Sequence, residues 1–178
     1  MYKKGRFAVV SKIIRFIIVI GSIVYFSYWF VERSLSQFLE NSMAVQVINH
    51  LPQPIDFYII RVDDNVKGED KFSSKHLGRI RPDYYRIEYL NMQNSGEFWI
   101  VGYIKKSRMV YFSQHAIPSG TQDQVVEVRN YINQSQKLSG IASDQVGFLK
   151  YDNIKISIWV TLDLLLIFLN SVLLFRRK

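Results

Sequence analysis

The 178-residue sequence contains no cysteine. Thiolates hold Cys-type zinc sites and iron–sulfur clusters and form disulfides, so all three features are excluded, together with a thiol nucleophile. The length allows one ordinary domain with appendages. A hydrophobic fraction of 48 %, with 15 % aromatic residues, is typical of an ordered chain rather than a disordered one.

Sequence motifs of catalysis and of cofactor or metal binding are also missing. There is no Gly-x-Ser-x-Gly, Walker loop or dinucleotide fingerprint. The three histidines, His50, His76 and His115, stand far apart and form no spaced pair of metal ligands. Residues 63–65 are rich in oxygen ligands but lack the calcium-loop pattern. We therefore expect that the protein is not an enzyme and that it takes no metal, other cofactor or small-molecule substrate.

Acidic residues are absent from the first 31 positions, which carry five cations. Three more cations, Arg176, Arg177 and Lys178, end the sequence. These two groups account for the whole net charge of +8, because residues 32–175 contain 15 basic and 15 acidic side chains. A nucleic-acid-binding domain would need a basic face on its folded middle, so nucleic acid is not an expected partner.

The first apolar run covers residues 16–31 and contains no charge. Residues 8–14 extend it, and Lys12 and Arg15 can reach back to the lipid headgroups as topology anchors. Its far end holds aromatic residues typical of a membrane interface: Tyr25, Tyr28 and Trp29. A cleaved signal peptide is the alternative interpretation, but no small-x-small cleavage site follows the run, so we expect an uncleaved anchor.

The second apolar run covers residues 156–175, which is long enough for a transmembrane helix, and ends at Arg176, Arg177 and Lys178. These three cations are further topology anchors, and cations beside both runs predict that both termini are cytoplasmic. We therefore expect an inner (cytoplasmic) membrane protein with the lipid bilayer as a partner and with residues 44–150 on the periplasmic or other extracytoplasmic side. The alternative is a soluble protein with two core helices, which the flanking cations and aromatic residues disfavour.

The middle of the chain alternates short runs of β-branched and aromatic residues with turn signals, which predicts strands. The six predicted strands are residues 44–49, 55–62, 76–80, 84–90, 97–104 and 109–116. They favour a small antiparallel sandwich or barrel, with 97–104 apolar on both faces like a central strand. The patterns Val45-x-Val47-x-Asn49, Pro54-Ile55-Asp56-Phe57-Tyr58 and Leu77-Gly78-x-Ile80-x-Pro82 resemble small immunoglobulin-like extracytoplasmic domains, which implies a sandwich but no particular function.

Residues 121–138 allow two interpretations. A capping box at Thr121-x-x-Gln124, with Val125, Val128 and Ile132 on one helical face, predicts an extra helix that stops near Gly140. The alternation Val126-x-Val128 instead fits an edge strand, and we favour the helix. Residues 139–153 are rich in turn formers and predict a connector. The polar extension of the first helix is expected to reach residue 43, so the predicted segments are 1–43, 44–150 and 151–178.

One acid interrupts the second apolar run. Asp163 lies well inside it, where a carboxylate costs about 2.5–3.5 kcal/mol on insertion scales. Asn170 falls on the same helical stripe, and intramembrane polar groups usually face protein. We therefore expect Asp163 and Asn170 to form an intramembrane interface with a partner. The alternative is that Asp163 faces the first span and bonds Ser22 or Ser27.

These observations predict a non-enzymatic accessory or assembly subunit of a larger multi-subunit membrane complex, of respiratory, photosynthetic or secretion type. Its protein partners would be other integral membrane subunits. The first alternative is a free-standing, membrane-tethered module that binds or senses a ligand or protein in the periplasm. A third interpretation is a homo-oligomeric pore lined by Asp163.

Overall fold

The computed structural model describes residues 3–35, 42–63, 65–66, 68, 71–92, 95–105, 108–117 and 123–175. The chain divides into two compact units. The first, which we call the helical unit, contains Met1–Ser36 and Asp152–Lys178. The second, the β unit, contains Gln37–Tyr151.

The helical unit is built from α1 (Lys3–Leu35) and the second part of α2 (Gln136–Phe175). Both helices are long and apolar enough to cross a membrane, and none of their apolar windows is buried within the protein. Large side chains are therefore left bare; Ile17 and Phe168, for example, are each 63 % exposed. The prediction of two such helices is confirmed.

The β unit contains seven strands in its described residues: β1 (Ser42–Asn49), β2 (Ile55–Val62), β3 (Phe72–Ile80), β4 (Tyr84–Asn91), β5 (Glu97–Ile104), β6 (Arg108–Ala116) and β7 (Gln124–Val128). All six predicted strands are present, and two have the predicted bounds. The expected helical extension to residue 43 is wrong at its end, because Ser42 and Met43 already belong to β1. Residues 36–41 of that extension lie outside the described residues.

The strands form two sheets, ordered β4-β1-β7 and β3-β2-β5-β6, which together make a β-sandwich-like domain. The core between them is lined by alternating residues of facing strands, such as Val45 and Val47 of β1 and Phe98 and Ile100 of β5. Every pair of described strands is antiparallel except β1 and β7, which run parallel. The wholly antiparallel arrangement that we expected is therefore replaced by one mixed and one antiparallel sheet.

The helix favoured over residues 121–138 is wrong. Gln124–Val128 forms β7 beside β1, and Val126 and Val128 point into the core. Pairing supplies hydrogen bonds to the free edge of β1 and buries both valines, which outweighs a short helical pattern.

The predicted connector at 139–153 is also wrong, because α2 already begins at Gln136. Ser135 starts the helix: its hydroxyl accepts a hydrogen bond from the Leu138 amide at 3.3 Å. The first part of α2 then covers the outer face of the four-stranded sheet, where Ala142 and Val146 are buried against Trp99 and Phe112. This contact explains why β5 is apolar on both faces.

Candidate functional site

Within the helical unit, partly shielded side chains recur every three or four residues along each helix. On α1 they are Arg15, Val19, Ser22, Phe26 and Trp29. On α2 they are Ile156, Val160, Asp163, Ile167, Asn170 and Leu174. Such spacing defines one stripe along a helix, as in the seam of a coiled coil. Residues of both stripes line the same crevice, so the two helices approach each other there.

The crevice has a volume of about 500 Å³ and mostly aromatic walls. Its lining side chains are Tyr25, Phe26 and Trp29 of α1 and Ile156, Trp159, Val160 and Asp163 of α2. The rings of Phe26 and Trp29 lie 6.0 Å apart at 56°. Asp163 is the one charged residue in this lining, so an acid sits among π systems and aliphatic groups. A volume of this size lies in the range of small-molecule and side-chain pockets.

The Asp163 carboxylate receives no hydrogen bond or ion pair from any residue that the structure describes. The other polar side chains of this stretch bond back to their own helix. Ser157 donates to the Asn153 carbonyl and Thr161 to the Ser157 carbonyl, each at 2.8 Å. A carboxylate cannot do the same, because it only accepts hydrogen bonds and the amides inside a helix are already used. Asp163 therefore needs a donor from elsewhere.

The sequence-predicted residues have different environments. Asp163 and Asn170 do lie on one stripe, but the Asn170 amide donates to its own helix, to the Leu166 carbonyl at 2.9 Å. The alternative hydrogen bond from Ser22 or Ser27 to Asp163 is not formed between these described residues. That Asp163 and Asn170 bind a partner stays a prediction.

The predicted topology anchors are described only in part. On α1, Lys12 is exposed and Arg15 is partly shielded. Arg176, Arg177 and Lys178 lie outside the described residues. That these five cations act as topology anchors stays a prediction.

A second polar cluster, in the β unit, had no signal in the sequence. Asp56 accepts a hydrogen bond from the Tyr58 hydroxyl at 3.1 Å, and its other oxygen lies 2.6 Å from His76 Nε2. The His76 ring stacks on Tyr58, with centroids 4.6 Å apart. Burial raises the pKa of Tyr58, and the Asp56 charge raises it further. The residues come from β2 and β3, so only the sheet register brings them together.

Lys150 of α2 completes this cluster. Its Nζ atom lies 5.3 Å from the Tyr58 ring centroid and 4.9 Å from that of Tyr103. These are cation–π distances, so the cluster holds α2 on the sheet. In the described parts of the chain, no three His, Cys, Asp or Glu side chains are grouped to hold a metal ion. The geometry is that of a helix-docking contact.

The outer face of the three-stranded sheet is a third feature. The register places Tyr85, Ile87 and Tyr89 of β4 on the side away from the core, with Val125 of β7 on the same face. Each of these four side chains is between 46 % and 59 % exposed. A row of bare aromatic and aliphatic groups on a sheet is a feature of binding surfaces.

Comparisons with protein-family models, with curated proteins and with solved structures find no match. The class of protein is therefore defined by the fold and the site alone. It is a protein whose two candidate membrane-spanning helices precede and follow a β-sandwich-like domain in the sequence, and whose Asp163 lies in a crevice between the helices without a partner among the described residues.

Proposed function

We propose that this protein is a non-enzymatic accessory or assembly subunit of a larger membrane complex. Helices α1 and α2 anchor it in the inner membrane with both termini in the cytoplasm, and its immunoglobulin-like β unit lies on the extracytoplasmic side. The observation that carries this proposal is the Asp163 carboxylate, which lies in a largely apolar crevice without a hydrogen-bond donor among the residues that the structure describes.

Insertion of the Asp163 carboxylate into a bilayer has an energetic cost that a partner can offset. A carboxylate at this depth costs about 2.5–3.5 kcal/mol on insertion scales, and the span is long enough to insert without it. An interhelical hydrogen bond returns about 0.6–2 kcal/mol, and a buried charged pair depends strongly on keeping both partners. A donor from another subunit would therefore offset the cost that the isolated helices leave uncompensated.

The proposal is tested by native mass spectrometry of mildly solubilised membranes, comparing wild type with Asp163→Leu at equal expression. We expect a hetero-complex that the substitution weakens while membrane insertion is kept. Thr161→Val is the matched control, because it removes a polar group from the same helix that already bonds its own backbone. If Asp163→Leu stays inserted and keeps every partner at wild-type yield, the assembly role is refuted. A homo-oligomer would point to the pore instead.

A second function, a tethered binding or sensing module, is favoured by the exposed outer face of the three-stranded sheet. A photo-crosslinking residue can be placed at Tyr89 on that face and, separately, at Trp159 in the crevice. Capture only from Tyr89, of a periplasmic molecule, supports the binding module. Capture only from Trp159, of an integral membrane protein, supports the assembly subunit.

A further inference from the structure

We propose that the crevice between α1 and α2 is a cation site, and that it takes a basic side chain from a helix of the partner. This inference rests on the proposed function and adds the chemistry of the group that meets Asp163. It follows from three features of the crevice, which are its charge, its walls and its depth.

No residue in the described parts of the chain pairs with the charge of Asp163 in the crevice. Residues 16–31 and 156–175 contain no Lys, Arg or His. On α1 the nearest cation is Arg33, four residues after Trp29 and eight after Tyr25 of the crevice, or about 6 Å and about 12 Å along the axis. On α2, Lys155 is eight residues before Asp163, about 12 Å along the axis. Arg33 and Lys155 lie beyond Trp29 and Trp159, away from Asp163, and the Asp163 carboxylate pairs with no described residue, so we expect its cation to come from outside these two helices.

The aromatic side chains that line the crevice favour a positively charged ligand. The crevice presents the rings of Tyr25, Phe26 and Trp29 on one helix and of Trp159 on the other. The faces of aromatic rings carry negative charge density and attract ammonium and guanidinium groups. Aromatic walls and a carboxylate therefore favour the same ligand, an organic cation with an apolar stem. A neutral donor would leave the charge of Asp163 unbalanced.

The depth of the crevice favours a protein side chain over a lipid headgroup. Asp163 follows Trp159 by four residues, so it lies about 6 Å further along α2 toward the C-terminal end of the helix. Tryptophan marks the headgroup level of a bilayer, so Asp163 lies below it. A lipid ammonium stays on the aqueous side of that level. Lys and Arg side chains of a neighbouring helix can instead lay their apolar stems along the crevice.

The first experiment uses the purified full chain in a neutral detergent, with dodecylamine as the cationic probe and 1-dodecanol as the uncharged control of the same chain length. Trp29 and Trp159 line the crevice and report binding by their fluorescence. We expect wild type to bind the amine roughly tenfold or more tightly than Asp163→Asn, as for one charged hydrogen bond, and Thr161→Val to behave as wild type. Equal binding of amine and alcohol, or unchanged amine binding by Asp163→Asn, would overturn the proposal.

The second experiment tests the source of the cation in phosphatidylcholine vesicles. The probes are two transmembrane peptides of about 20 Leu and Ala residues, one with a single Lys one turn below the interface and one with Gln there. We expect energy transfer from the crevice tryptophans to a labelled peptide to favour the Lys peptide, and this preference to vanish in Asp163→Asn. If phosphatidylethanolamine in the vesicles abolishes the preference, the ligand is a lipid and the assignment to a helix is wrong.

The assembly role and the cation site can be refuted independently of each other. A native complex that depends on Asp163, combined with no preference for the Lys peptide or for dodecylamine, refutes the cation site and leaves the assembly role standing. A preference for the Lys peptide in a protein whose native complexes ignore Asp163→Leu keeps the cation site and refutes the assembly role.

Discussion

Replacing Gly102 with alanine should destabilise the β unit, because β5 has no room for a side chain there. An added Cβ atom would lie 2.9 Å from Ile55 Cγ2, 3.0 Å from Phe57 Cε1 and 3.1 Å from Tyr111 Cβ. Carbon pairs attract each other at roughly 3.5–4.0 Å, so all three contacts are repulsive. The three neighbours are at most 5 % exposed and are packed in the core between the sheets, so they cannot simply move aside.

The expected cost follows from two opposing terms. Overpacking of a well-filled core costs about 1–3 kcal/mol. Loss of glycine flexibility in the unfolded chain returns about 0.4–1 kcal/mol. Gly102→Ala should therefore lower the free energy of unfolding by about 1–2 kcal/mol. Urea unfolding of the full chain in mild detergent measures this through Trp99 in the β unit, in a background where Trp29 and Trp159 are replaced by phenylalanine.

Gly147→Ala is the matched control for this prediction. Gly147 lies in the first part of α2, where an added Cβ meets nothing within 4 Å. Alanine should therefore stabilise the helix there, by about 0.5–1 kcal/mol. The opposite signs of the two substitutions test the packing rather than glycine chemistry in general. A Gly102→Ala protein that unfolds at or above the wild-type urea concentration would refute the argument.

Three further predictions concern topology, pH and helix docking. Because the chain has no cysteine, single cysteines can be introduced at Lys4 and at the exposed position of Ser73. An impermeant maleimide applied to intact cells should label Ser73→Cys and not Lys4→Cys, and the reverse pattern would contradict the proposed orientation. Burial lowers the pKa of His115, so the unfolded chain binds more protons than the folded one and the free energy of unfolding should decrease as the pH falls below about 6.5. In urea titrations His115→Gln should reduce this pH dependence, and an unchanged pH dependence would contradict the role of His115. Lys150→Met should cost about 0.5–2 kcal/mol in the same assay and Lys150→Arg much less, whereas equal stabilities would show that the cation–π contact contributes nothing.

Strands were predictable wherever one local pattern decided the structure. Residues 55–62 and 97–104 combine β-branched and aromatic residues with clear turn signals on both sides, and they form β2 and β5 with the predicted bounds. Strand β3 begins at Phe72, four residues before the predicted start. Three of the four added residues, Ser73, Ser74 and Lys75, are polar, and they join the sheet by pairing with β2, which no local pattern predicts.

Residues 121–153 could not be predicted because their structure depends on distant partners. Val126 and Val128 become strand residues only because β1, far away in sequence, leaves an edge to pair with. Ala142 and Val146 belong to a docked helix only because β5 and β6 present Trp99 and Phe112 on the outer sheet face. The small and polar residues that indicated a connector are tolerated in α2. Gly140, Ser143, Asp144 and Gly147 are exposed, and the buried Ser139 hydroxyl donates to the Gln136 carbonyl of its own helix.

The candidate site, too, was predictable from the sequence only in part. The position of Asp163 within the second apolar run can be read from the sequence, whereas its binding to a partner stays a prediction. The crevice was not, because it depends on how α1 and α2 approach each other. One signal was present in the sequence: Trp159 precedes Asp163 by four residues and so lies on the same helical face. If the proposed cation site is correct, this spacing of an aromatic group and an acid is its signal in the sequence.

The polar groups of α2 also explain why asparagine is a sharper test at position 163 than leucine. The Asn170 amide bonds the carbonyl four residues earlier, and an asparagine at 163 can reach the Trp159 carbonyl in the same way. Asp163→Asn therefore keeps the volume of the side chain and removes its need for an external donor. Leucine changes volume, polarity and insertion energy together. If the acid is retained to hold a cation, the asparagine protein should lose the cation and remain well inserted. If the acid is only a tolerated polar group, wild type and Asp163→Asn should bind every probe alike.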